Sequence, residues 1–109
     1  IAAVQAASVF LDLRASTEKA CGLVREAASE GARLVVLPEA FLPGYPLWVW
    51  FIPGAKTHPL RELYSELHRH SVTIPGPETE ALGRVAAEVP FHSRHGDWRK
   101  QRYEKVRQP

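Results

Sequence analysis

At 109 residues, 45% hydrophobic and 24% charged, the chain has room for one small domain of ordinary globular composition, which argues against a fibrous or wholly disordered protein. Its longest apolar stretch, Leu42–Pro53, is broken by Pro43, Gly44, Pro46 and Pro53 and is too short for the ~18 residues of a membrane span, and no basic segment leads into an apolar leader. The single Cys21 excludes an internal disulfide, and the net charge of +2 is split unevenly: residues 1–89 carry eight Lys and Arg against ten Asp and Glu, whereas residues 90–109 carry six against two.

These features set three expectations: no membrane association, a reducing cytoplasmic compartment, and a boundary near Pro90. The chain has no Met and opens at Ile1 inside an apolar run, so residues are expected to precede it.

In chain order, Ile1–Gln5 is short and apolar and predicts a buried strand of a sheet covered on both faces. Leu11–Arg14 predicts a loop leading to Ser16 and Thr17 as helix N-caps. From Thr17 to Glu30, Ala20, Cys21, Leu23, Val24, Ala27 and Ala28 recur at helical spacing, with Lys19, Glu26 and Glu30 off the stripe. Gly31 stands where a helix-terminating glycine belongs. Ala32–Leu37, rich in β-branched residues and stopped by Pro38, predicts a second buried strand. Strand, helix, glycine turn and strand make a βαβ unit with parallel pairing.

Phe41–Pro53 predicts a restricted loop, since each Pro fixes its own φ and limits the residue before it. Its Trp48 and Trp50 are assigned to packing rather than to ligand contact, because aromatics favour cores and interfaces. Pro59–His70 predicts a helix with Leu60, Leu63, Tyr64 and Leu67 on one side. Ser71–Pro77 is a link, and Pro77–Val89 predicts a third helix with Ala81, Leu82, Val85, Ala86 and Val89 as its stripe. The fold class is therefore α/β, a βαβ unit followed by further helices. With no further buried strand after Val89, the sheet is expected to keep an open edge and an uncovered face, which favours aggregation.

The chemistry-bearing segment is Val35-Val-Leu-Pro-Glu-Ala-Phe41, which sets a carboxylate immediately after the C-terminal end of a parallel strand. In open α/β sheets that end is where ligands bind. A Glu held there among aromatics is partly withdrawn from water, which suits it to proton transfer and makes Glu39 a candidate general base. The plain alternative is a surface Glu or a helix cap, and position alone does not separate the two.

Pro38-Glu39-Ala40-Phe41, followed by Pro43-Gly44-Tyr45-Pro46 and Trp48, resembles the first catalytic block of the nitrilase, or carbon–nitrogen hydrolase, superfamily. Ala2-Ala-Val-Gln-Ala-Ala, Thr17-Glu-Lys-Ala and Gly31-Ala-Arg-Leu-Val-Val are similar to that family's opening strand, helix and second strand. The resemblance covers residues 1–89, and Pro-Gly-Tyr-Pro is most like the nitrile-hydrolysing branch. It implies the start of an α-β-β-α sandwich, truncated here, and an assembly that is usually homo-oligomeric. It also implies a small nitrile substrate and covalent chemistry by a Glu, a Lys and a Cys, with no cofactor and no metal. Carried over by position, Glu39 matches the general base, and Tyr45 lies in the loop that lines the site.

No segment of this sequence matches the family's Lys or Cys block. Cys21 falls on the apolar stripe of the first helix and is assigned as a small buried hydrophobe rather than as the nucleophile. Trp98-Arg99-Lys100 bears only a faint likeness to the lysine block, and Lys100 is given no role. The chain alone is therefore expected to be inactive: either the first part of a hydrolase, or a non-catalytic product that misfolds or docks onto a full-length partner.

Residues 90–109 have one aliphatic residue, Val106, and cannot supply an interior strand. They are expected to be a disordered or out-of-family tail, such as a change of reading frame after about Val89 would produce. Trp98 and Tyr103 among basic residues could suggest nucleic-acid binding, but a self-solvating tail is the simpler reading, and no nucleic-acid partner is expected. His68 and His70, two apart on a helix, point to different sides, and His92 and His95 lack an acidic or Cys partner at ligand spacing, so no metal site is expected.

Overall fold

The computed structural model describes residues 1–52 and 57–89. Their order is strand β1 (Ala2–Ala3), helix α1 (Leu13–Ser29), strand β2 (Val35–Val36), a 3₁₀ turn (Leu47–Trp50), helix α2 (Thr57–Arg69) and helix α3 (Pro77–Glu88). The β-helix-β order expected from the pattern is present, and β1 and β2 pair in parallel with Ala2 opposite Val35 and Ala3 opposite Val36. The N–H of Ala2 donates to the Leu34 carbonyl and that of Val4 to the Val36 carbonyl, both at 2.8 Å.

Two expectations about the strands need correction. They are two residues long rather than five or six, and they are not buried on both faces as their apolar runs suggest, the sheet keeping the uncovered face expected of a chain with no further buried strand. Ala2, Val4, Val35 and Leu37 are half-buried, whereas Ala3, Leu34 and Val36 are exposed. The reason is physical: α1 packs against β2 on one side, and no described element covers the other. An apolar run buried on one face only keeps the period-two alternation of a half-covered sheet.

Helix α1 begins four residues earlier than its apolar stripe suggests. Asp12, not Ser16 or Thr17, is the N-cap, its carboxylate accepting the Ala15 N–H at 2.9 Å. Ser16 and Thr17 lie inside the first turns, both buried, and their hydroxyls are used otherwise. Thr17 donates to the Leu13 carbonyl at 2.7 Å. Ser16 reaches back to Val9, accepting its N–H at 3.0 Å and donating to its carbonyl at 2.9 Å. The stripe itself is as expected: Ala20 and Cys21 are buried, Leu23, Val24, Ala27 and Ala28 are half-buried, and Lys19, Glu26 and Glu30 are exposed.

Gly31 ends α1 as the sequence indicates, at φ +92. Its N–H donates to the Ala28 carbonyl at 2.9 Å and that of Ala32 to the Ala27 carbonyl at 3.0 Å, the paired bonds of a Schellman motif.

Helix α3 has Pro77 at its first position after the Gly76 cap, where a missing N–H costs nothing. The Thr79 hydroxyl accepts the Gly76 N–H at 3.0 Å and donates to the Gly76 carbonyl at 2.8 Å. Val85, 3% exposed, is its most buried apolar residue, and α3 packs against α1. Arg25 and Glu88 bridge the two helices at 3.2 Å with both side chains more than half exposed. On α2, Leu60, Leu63 and Leu67 are half-buried, and Tyr64 meets Trp48 edge-on with ring centroids 6.1 Å apart.

The expected basic tail, with Lys100, His92, His95, Trp98, Tyr103 and Val106, lies outside the described residues.

Candidate active-site turn

Beyond Val36 the chain leaves the sheet through Leu37 and Pro38 and enters a tight turn at Glu39. Glu39 is thus placed where the sequence puts it, just past the C-terminal end of a parallel strand. The residue after it, Ala40, has φ +52, a left-handed conformation that costs a non-glycine residue roughly 1–2 kcal/mol. The Ala40 carbonyl accepts the Gly44 N–H at 3.0 Å and closes the turn. Phe41, 6% exposed, Pro43 and Gly44 are the buried residues of the turn.

Gly44 ties this turn to the rest of the fold. Its φ is +127, which only glycine tolerates readily, and a Cβ built there would stand 2.9 Å from the Ser8 hydroxyl oxygen. Ser8 precedes Val9, which Ser16 of α1 holds through two hydrogen bonds. Helix α1 therefore fixes the segment after β1, that segment abuts Gly44, and Gly44 sets the turn bearing Glu39. The sequence reading missed Ser8, Ser16 and Ala40 as supports of the turn. Only the Pro-Gly pair at 43 and 44 signals it in advance.

The expectation that aromatics enclose Glu39 is not met. Glu39 is exposed and has no hydrogen-bond or ion-pair partner among the described residues. The aromatics are engaged elsewhere. Phe41 is buried within the turn, and Trp48, 8% exposed, meets Phe10 edge-on at 5.7 Å and Tyr64 edge-on at 6.1 Å. Trp48 thus packs as expected, whereas Trp50, assigned to packing on the same grounds, is 73% exposed. Tyr45 is 45% exposed, and its carbonyl accepts the Leu47 N–H at 2.8 Å. The Trp48 indole N–H is buried without an acceptor among the described residues.

Cys21 is buried and free on α1, on the floor of a groove of about 270 Å³ between α1 and α3 that neither Glu39 nor Tyr45 lines. Among the described residues no three His, Cys, Asp or Glu side chains converge to hold a metal ion. His68 is exposed, and His70 stands 3.8 Å from Glu66. No described helix is long and apolar enough to cross a membrane.

Residues 1–91 match the family model for the carbon-nitrogen hydrolase. The chain belongs to the carbon–nitrogen hydrolase family. Its relatives in that family include nitrilases. It is 43% identical over 89 residues to an arylacetonitrilase of Aspergillus oryzae, covering 81% of this chain and 25% of that protein. It is 45% identical over 82 residues to a nitrilase of Bacillus sp. (strain OxB-1), covering 75% and 23%. An aliphatic nitrilase of Sinorhizobium fredii is 43% identical over 90 residues, covering 81% and 29%. The chain thus spans about a quarter of the length of the curated relatives it matches. The small helix-and-strand assembly of residues 1–89 agrees with the first portion of such a hydrolase domain.

Proposed function

We propose that this chain supplies the general-base portion of a nitrilase-type hydrolase that converts a nitrile to a carboxylic acid and ammonia. The observation that carries the reading is Glu39 on a braced turn at the C-terminal end of a parallel strand, inside the segment that matches the family. In this chemistry a Cys thiolate adds to the nitrile carbon, and a Lys stabilises the charged tetrahedral species. Glu39 takes the thiol proton, a first water adds to the resulting thioimidate and ammonia leaves to give the thioester. A second water activated by Glu39 then releases the acid and the Cys thiol. Tyr45, on the loop beside the turn, lines the substrate space. Of these groups the sequence supplies only Glu39 and Tyr45, since its one cysteine, Cys21, is buried on α1 away from them.

The site is open as well as incomplete. An exposed Glu39 lacks the water-excluded surroundings in which a positioned base is most effective, and further family segments must supply those walls along with the nucleophile and the Lys. The chain by itself is therefore inactive. Purified 109-residue chain, incubated with aliphatic and aromatic nitriles, is expected to release no ammonia above a Glu39→Gln control. Release that disappears in the control would overturn the inactivity of the chain alone and show that another nucleophile completes the site.

A second reading is favoured by the exposed sheet face. Ile1, Leu34 and Val36 are 84%, 54% and 50% exposed, an open apolar face that suits the alternative of a non-catalytic product that misfolds or docks onto a full-length partner. In the first role the complete enzyme is homo-oligomeric, as is usual in the family, the compartment is cytoplasmic, and neither cofactor, nucleic acid nor membrane takes part.

A further inference from the structure

We draw no further inference here: the strongest candidate, the uncovered face of the two-stranded sheet around Leu34 and Val36, carries nothing more because nothing in the structure shows what covers it.

Discussion

Gly44 is fixed by two independent demands, a backbone in the region favouring glycine and a neighbour, the Ser8 hydroxyl, at 2.9 Å from any added Cβ. Gly44→Ala must pay for both, so it is expected to destabilise the chain by about 1–3 kcal/mol, read as a lower denaturant midpoint. Ala40 makes the converse case. Its φ of +52 is strained for alanine, and Ala40→Gly is expected to be neutral or to stabilise by up to about 1 kcal/mol, provided the turn keeps its shape. Loss of stability in that variant would show that the Ala40 methyl contributes packing that outweighs the strain. Trp48 also has two opposing terms. Its ring meets Phe10 and Tyr64 edge-on, but its buried N–H has no acceptor among the described residues, and such an orphan costs about 1–3 kcal/mol. Trp48→Phe removes the orphan and keeps most of the ring contact, so it is expected to be much better tolerated than Trp48→Ala, whose loss is about 3–5 kcal/mol. Equal losses in thermal melts of the two variants would contradict that account.

At the scale of elements, α1 packs against α3, and Cys21 of α1 and Val85 of α3, at 8% and 3% exposure, are buried along their shared groove. The Arg25–Glu88 bridge is more than half exposed on both sides, and water and salt screen such pairs. A double-mutant cycle on Arg25 and Glu88 is expected to give a coupling below about 1 kcal/mol, whereas Val85→Ala alone costs more. Much of this layer was legible in the sequence. The stripe Ala20, Cys21, Leu23, Val24, Ala27 and Ala28 marks the packed face of α1, Gly31 its end, and Pro77 the start of α3, because each rests on local periodicity or on one residue's backbone preference. The first turn of α1 was not legible, because Asp12 sits in a segment that reads as loop while Ser16 and Thr17 look like better caps. Those two hydroxyls instead bond Val9 and Leu13, one of them a contact across seven residues that spacing does not reveal. The position of Glu39 was legible from the strand and the Pro that follows it. Its exposure was not, since burial depends on walls contributed by distant segments.

For the molecule as a whole, the balance of covered and open surface decides behaviour. Besides the sheet face, Phe10, Leu47, Trp50 and Phe51 are 60%, 59%, 73% and 79% exposed, an unusual load of large apolar side chains for a chain this short. Small domains already bury a modest fraction of their surface, and an unpaired strand edge adds a template for association. The isolated chain is expected to bind a hydrophobic dye, to melt over a broad range and to aggregate as concentration rises. A sharp, cooperative thermal transition of a monomer without dye binding would contradict this.

The role of Glu39 is the central claim, and the measurement that tests it most directly uses a chimera. Residues 1–89 replace the matched segment of the Bacillus nitrilase, and nitrile hydrolysis is followed as ammonia release with Glu39 or with Glu39→Gln. The account predicts turnover in the first and a loss of at least about 10²-fold in the second, with the two proteins equally folded. Equal turnover by the two chimeras would show that Glu39 is not the base.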